Sequence, residues 1–134
     1  MRFFRGDFTG RQATVGVIAT DNGQDVFKVS VLFDPSESWN TLVNTYEYYK
    51  ELYTEKYGQP SQCEENNPSR MDTNTARMFE LYQGRVTYFC QFEAPGGAIQ
   101  ISIAKGGITD GYVMIIYQDT QNHMAKRKSD LDDI

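Results

Sequence analysis

Few residues in this sequence have the chemistry that catalysis or metal binding usually requires. His123 is the only histidine, and it lies in a polar segment between Asn122 and Met124. Catalytic triads and histidine-rich metal sites combine histidine with partners of fixed type and spacing, whereas a lone histidine in a polar segment is typical of a solvated side chain. The sequence therefore predicts no histidine-dependent catalysis and no metal site.

The two cysteines, Cys63 and Cys90, have a spacing that matches no metal-binding motif. Cys90 lies within an alternating apolar pattern, which is typical of a small buried side chain. Cys63 lies in a polar stretch, just after the predicted end of a helix. A disulfide between them would require an oxidising compartment, and the sequence leaves open whether the two residues pair.

The carboxylates are scattered along the chain. Paired-carboxylate catalysis needs two carboxyl groups fixed about 5–10 Å apart on rigid elements. Most carboxylates here fall in predicted loops or in the C-terminal tail, where solvation is the expected role. They include Glu64, Glu65, Asp72, Asp110, Asp119, Asp130, Asp132 and Asp133. We therefore predict no catalytic residue.

Two glycine pairs, at 96–97 and 106–107, lie between predicted strands. A phosphate-binding loop instead leads into the N-terminus of a helix. Hairpin geometry accounts for these glycines, so the sequence predicts no cofactor and favours a protein that is not an enzyme.

The charge balance argues against polyanionic partners. The net charge is −5 and the isoelectric point is about 4.8. The one dense basic run, 126–128, is followed at once by Asp130, Asp132 and Asp133. Because nucleic-acid binding needs a basic footprint, nucleic acid and anionic membrane are disfavoured, and the chain has no apolar run of transmembrane length.

The strongest structural pattern is one long helix at about 35–57. Asp34 is a suitable N-cap and Pro35 fits the first helical position, while Gly58 and Pro60 end the helix. An apolar stripe along this helix is expected to cover a sheet. The stripe consists of Trp39, Leu42, Val43, Tyr46, Tyr49, Tyr53 and Tyr57.

The remaining apolar segments alternate as strands do. Strands are predicted at 3–8, 12–20, 26–33, 76–83, 85–93, 99–103 and 112–118, and the polar stretch 61–75 is predicted to be a loop. Strand 112–118 is apolar on both faces and is expected to be central. The sequence thus predicts a single α+β domain over 1–134. It has a mostly antiparallel sheet of six to seven strands, one long helix and a polar tail at about 120–134.

Tyr48 and Leu52 lie roughly opposite the apolar stripe, one helical turn apart. At that spacing on the outer side of the helix, they would pack against the 59–75 segment or contact a partner. They are the candidate interaction surface in the sequence.

The long helix and the last strand resemble a group of small uncharacterised bacterial proteins. The matching positions are Trp39, Leu42, Tyr46, Leu52, Lys56, Tyr57, Gly58, Pro60, Tyr117, Asp119 and Asn122. The likeness covers about residues 6–134 and includes the β-meander after the helix. The resemblance implies an α+β fold and brings no established activity.

Members of that group carry an additional N-terminal strand and helix before the element at 6–10. Because this sequence departs from that pattern, two alternatives remain open, a start at Met1 and a native start upstream of it. The protein is then expected to be cytoplasmic as written, and periplasmic or envelope-associated with an upstream start. A sheet without such a cover exposes an edge and an apolar face, so we predict a homodimer with residues 3–20 near its interface.

Three functions remain open from the sequence. The first is a non-enzymatic binding or protein-interaction domain. The second is a small-ligand carrier or small enzyme with an aromatic-walled pocket, and the third is an envelope-associated protein with a misassigned start. A closed pocket with converging polar groups would favour the second, and a flat sheet face with exposed tyrosines would favour the first.

Overall fold

The computed structural model describes residues 2–8, 11–19, 26–66 and 73–119. Within them the chain forms seven strands and two helices in one α+β arrangement. The strands are β1 (Arg2–Phe8), β2 (Arg11–Ala19), β3 (Val26–Phe33), β4 (Gln62–Asn66), β5 (Thr87–Ala94), β6 (Gly97–Lys105) and β7 (Gly111–Asp119). The helices are α1 (Trp39–Tyr57) and α2 (Asn74–Tyr82).

All neighbouring strands of the sheet run antiparallel, in the order β1-β2-β3-β7-β6-β5-β4. The first three strands form a meander, and α1 then leads the chain to the opposite edge, where β4 lies. The meander β5-β6-β7 returns to the centre, where β7 pairs with β3. The predicted α+β class and the predicted central position of strand 112–118 are therefore confirmed.

Both helices lie on one face of the sheet. Helix α1 packs on β5, β6 and β7, and α2 packs on β6, β7 and α1. The core between them is aromatic and β-branched, and it contains the buried stripe residues that the sequence predicts to cover the sheet. Its members are Ala13, Val31, Phe33, Trp39, Leu42, Tyr46, Tyr49, Met78, Leu81, Cys90, Phe92, Ile99, Ile101, Ile103, Val113 and Ile115.

Helix α1 begins at Trp39, four residues later than predicted. The backbone of Ser36 pairs with Gly111 in a β-bridge, with N···O distances of 2.8 and 3.0 Å. This bridge keeps the residues before the helix extended, so Asp34 and Pro35 are not its cap and first residue. The Oγ of Ser38 accepts a hydrogen bond from the Thr41 backbone N–H and caps the helix instead.

The end of α1 agrees with the prediction. Gly58 has φ of 90°, which favours glycine, and its N–H donates to the Thr54 carbonyl at 2.9 Å. Pro60 follows two residues later and cannot continue the helix. These two residues orient the chain toward β4.

The predicted strand 76–83 is wrong, because this segment forms α2. The Oγ1 of Thr73 accepts from the Ala76 N–H at 3.2 Å and starts the helix. Met78 and Leu81 are buried three residues apart, on one side, which is helical spacing. In so short a segment the same apolar residues also fit a strand pattern, so periodicity alone did not separate the two.

The predicted loop at 61–75 contains β4, which sequence reasoning missed. Every residue of this edge strand is exposed overall, and its sequence has no apolar alternation to reveal it. Its pairing with β5 creates the strand. His123 and the tail at 120–134 lie outside the described residues. Neither described helix combines the length and apolar character that a membrane span requires.

Candidate binding surfaces and a sheet-edge disulfide

The face of the sheet opposite the helices, which we call the helix-free face, carries no described helix. On its central strands β3, β7 and β6, cross-strand neighbours form two rows. One row is Leu32, Met114 and Ser102, and the other is Ser30, Ile116 and Gln100. All six side chains are half-buried.

The helix-free face is poor in charge at its centre. Its side chains on β3, β7 and β6 are Lys28, Ser30, Leu32, Tyr112, Met114, Ile116, Gln118, Ala98, Gln100, Ser102 and Ala104. Lys28 is the only charged residue among them, although the chain as a whole carries a net charge of −5. Depletion of charge around apolar side chains is typical of the core of a protein–protein interface.

The outer side of α1 carries the two residues that the sequence singles out. Tyr48 is 45% exposed and Leu52 is 37% exposed. The Tyr48 ring packs edge-on against the Tyr49 ring, with centroids 5.1 Å apart. The predicted exposure of these two residues is confirmed. The patch is small, because no other large apolar side chain of α1 is exposed to this extent.

A second exposed apolar patch was not predicted. It consists of Phe79 on α2 and Ile108 in the β6–β7 connection, which are 52% and 70% exposed. They line a shallow cleft of about 320 Å³ together with Met78, Glu37 and Thr109. The wrong strand assignment for 76–83 hid this patch, because it placed the Phe79 side chain in a sheet.

The largest open cleft among those described has a volume of about 480 Å³ and lies beside the start of α1. It is lined by Phe33, Asp34, Pro35, Ser36, Thr41, Leu42, Thr45 and Val113. Its one carboxylate, Asp34, accepts a hydrogen bond from the Arg5 guanidinium at 2.8 Å. The cleft is therefore lined by hydroxyl groups and apolar side chains, and its carboxylate is already paired with the Arg5 guanidinium cation.

Cys63 and Cys90 form a disulfide between β4 and β5. They are direct cross-strand partners, with Cα atoms 4.1 Å apart. Cys90 is completely buried beneath α1, as its strand pattern predicts, whereas Cys63 is exposed on the edge strand. This settles the pairing that the sequence leaves open, and the one signal available from sequence was the inward position of Cys90.

Tyr46 of α1 contacts this disulfide from the core. Its hydroxyl donates a hydrogen bond to the Sγ of Cys90, with an O···S distance of 3.0 Å. Burial, followed by the nearby negative charge of Glu65, raises the pKa of Tyr46 well above its usual range. The hydroxyl therefore stays protonated and remains a donor to the sulfur.

Glu65 and Lys50 complete the surroundings of the disulfide. A Glu65 carboxylate oxygen and the two sulfurs lie within 4.8 Å of one another. Lys50 forms an ion pair with Glu65 at 2.9 Å, so the carboxylate next to the sulfurs is balanced by a cation. Because the sulfurs are bonded to each other, they are not thiolate ligands for a metal in this state.

Comparisons with protein-family models, with curated proteins and with solved structures find no match to this chain. The resemblance to small bacterial proteins therefore stays a prediction. The helix-free face, the exposed apolar patches, the clefts and the disulfide are the features of the structure that bear on function.

Proposed function

We propose that this protein is a non-enzymatic interaction domain that pairs with a second copy of itself through the helix-free face. The observation that carries the proposal is the apolar, charge-poor centre of that face, formed by Leu32, Met114 and Ile116, which no described helix covers. Strand β7 is apolar on both sides, and a strand of this kind is usually covered on both sides.

The size of the face fits a dimer. Strands lie about 4.8 Å apart and rise about 3.3 Å per residue. Five adjacent strands of the sheet, in the order β2-β3-β7-β6-β5, therefore present a patch on the order of 600 Å² in projection. Side-chain relief makes the accessible area larger. A standard interface buries about 800 Å² of accessible surface on each partner, which is the same scale.

The charge at the centre of the face does not oppose a second copy of this chain as the occupant. Two molecules of net charge −5 repel each other over most of their surfaces. The centre of the helix-free face escapes this repulsion, because Lys28 is its only charged residue on the three central strands. Two such sheets can pack face to face about 10 Å apart around a two-fold axis. Thr14 and Gly16 of β2 share the face, which keeps part of the predicted 3–20 region beside the interface.

Ser102→Arg tests the proposal, because Ser102 lies at the centre of the face between Phe89 and Met114. A half-exposed arginine can extend into water in a monomer, but two of them would be buried against each other in a dimer. Asn44→Arg on the exposed side of α1 is the matched control. Light scattering should give twice the 15.3 kDa chain mass for the wild type and the control.

The Ser102→Arg protein should have the mass of one chain and an unchanged circular dichroism spectrum. A wild-type protein that stays monomeric up to millimolar concentration would overturn the proposal. A Ser102→Arg protein that remains folded and dimeric would move the interface to another surface.

The disulfide supports a second candidate, an envelope-associated protein. Structural disulfides form and persist in oxidising compartments and are rare in the cytosol. If the protein matures in such a compartment, directing it to the bacterial periplasm should give a fully oxidised Cys63–Cys90 pair. Cytosolic expression should leave both cysteines reduced, so that a maleimide labels both of them once the protein is unfolded in denaturant. Complete oxidation in the cytosol would show that this disulfide does not require an oxidising compartment, and it would then no longer support an envelope location.

A further inference from the structure

We propose that the Cys63–Cys90 disulfide is a thiol–disulfide exchange site in the folded protein, attacked at Cys63 by a dithiol reductant. This inference does not depend on the pairing of the helix-free face. It rests on the difference in exposure between the two sulfur-bearing residues, on the position of β4 and on the hydrogen bond from Tyr46.

Access selects the sulfur that is attacked. Cys63 is exposed on β4, whereas Cys90 is completely buried. Strand β4 is an edge of the sheet, and α1, which packs on β5, β6 and β7, contacts β4 through the Lys50–Glu65 ion pair. A thiolate that attacks a disulfide approaches along the S–S axis, opposite the leaving sulfur. Beyond Cys63 no strand of the described sheet blocks this approach.

The leaving sulfur is Cys90, and it has a donor in place. A thiolate that forms inside the core lacks water, so it leaves more readily where a hydrogen-bond donor already contacts it. The hydroxyl of Tyr46 lies 3.0 Å from the Cys90 Sγ and donates to it. Lys50, paired with Glu65 at 2.9 Å, offsets the negative charge that would otherwise repel the incoming thiolate.

The exchange transfers two electrons from the dithiol reductant to the protein in two steps. The external thiolate bonds to the Cys63 Sγ, the Cys63–Cys90 bond breaks, and its electron pair goes to the Cys90 Sγ, which leaves as a thiolate that accepts the Tyr46 hydrogen bond. The second thiol of the reductant then loses its proton, attacks its own sulfur in the mixed disulfide and releases Cys63, which takes that proton. The dithiol loses two electrons and becomes a disulfide, and the protein gains two electrons and becomes a dithiol.

The first test uses reduced glutathione as the probe, on the intact oxidised protein. After a short incubation and an acid quench, mass spectrometry of the digested protein locates the glutathione adduct. We expect the adduct on Cys63 in at least about tenfold excess over Cys90, since access decides which sulfur reacts. Equal labelling, or an adduct mainly on Cys90, would overturn the proposal.

The second test separates exchange in the folded state from exchange after unfolding. Urea below the unfolding transition should leave the exchange rate unchanged, whereas exchange through unfolding would accelerate with urea as the unfolded population grows. A rate that follows the unfolded population would show an inert structural bridge and overturn the proposal.

The third test addresses the leaving group. Tyr46→Phe removes the donor to Cys90 and should slow exchange about three- to tenfold in folded protein. Tyr53→Phe, which removes a hydroxyl two turns further along α1, is the matched control and should exchange at the wild-type rate. Equal rates in the two variants would overturn the role of Tyr46, and the glutathione map on the wild type tests the site independently of how these variants fold.

Discussion

The two faces of the sheet are built from the same strands, but their side chains follow different rules. On β6, Ile99, Ile101 and Ile103 face the helices and are at most 5% exposed. Between them, Gln100 and Ser102 face the other way and are half-buried. Strand β7 departs from this rule, because it is apolar on the helix-free face as well. The comparison shows that β6 alternates between apolar and polar side chains on the two faces, whereas β7 places apolar side chains on both.

The largest expected effect lies on the face of the sheet that α1 and α2 cover, which we call the covered face. Trp39 is 5% exposed, and its ring packs edge-on against the Tyr88 ring with centroids 5.6 Å apart. Trp39→Ala should lower the free energy of unfolding by about 3–5 kcal/mol, because it removes a large buried ring and leaves a cavity. Urea titration measures this.

Met114→Ala on the helix-free face is the matched comparison. It should cost less than about 2 kcal/mol in the monomer, because Met114 is already half-exposed there. Equal costs at the two positions in monomeric protein would break the distinction between the faces. A loss of less than about 1 kcal/mol at Trp39 would mean that the helix is not anchored by its ring.

The second effect concerns how closely the helices approach the covered face. A Cβ added at Gly111 would lie 2.5 Å from Leu81 Cδ2 and 2.9 Å from the carbonyl oxygen of Ala104. Gly111→Ala should therefore cost about 1–3 kcal/mol through overpacking of α2 against the sheet. Thermal or urea unfolding checks the value.

Gly6→Ala on β1 is the control for this substitution. A Cβ at Gly6 meets no atom within 4 Å, and alanine suits a strand better than glycine does. Gly6→Ala should be neutral or should stabilise the protein by up to about 1 kcal/mol. If Gly111→Ala is tolerated as well as Gly6→Ala, α2 can move away from the sheet without cost.

The fold was predictable from sequence wherever one side of an element is buried. The stripe from Trp39 to Tyr57 and the alternation on β6 each reflect burial on a single side, and both elements were predicted. Helix α2 was assigned to the wrong class because nine residues hold too few turns to distinguish the two periods. Strand β4 was missed because pairing and the disulfide hold it in place, and its polar sequence has no apolar alternation.

The candidate sites were less predictable than the fold. The exposure of Tyr48 and Leu52 followed from helical geometry alone. The Cys63–Cys90 pair did not, because it depends on the register between β4 and β5, which are separated in sequence by α2. The contact between Tyr46 and the disulfide depends in turn on how α1 lies across the sheet, and no local pattern encodes that position.

The third expected effect is the pH dependence of the free energy of unfolding, which Tyr46 contributes from beneath the helices. Because burial raises the pKa of Tyr46, the folded protein keeps this proton above pH 10, where an unfolded tyrosine loses it. The stabilising contribution is therefore complete below about pH 10 and is lost as pH rises, by at most about 1.4 kcal/mol per pH unit for one tyrosine. Tyr46→Phe should make the alkaline fall in unfolding free energy less steep. An unchanged slope would mean that water reaches this hydroxyl.

The smallest effect is expected on the outer side of α1. Tyr48→Ser and Leu52→Ser should each lower the free energy of unfolding by about 1 kcal/mol or less, because both side chains are partly exposed and Tyr48 loses only its ring contact with Tyr49. If the helix-free face is the dimer interface, the double variant should retain the wild-type mass in light scattering. A folded double variant that is monomeric would instead place the interface on α1, at the smaller candidate surface that the sequence indicates. The helix-free face would then be an ordinary solvated sheet surface, and the two faces would differ only in the helices that cover one of them.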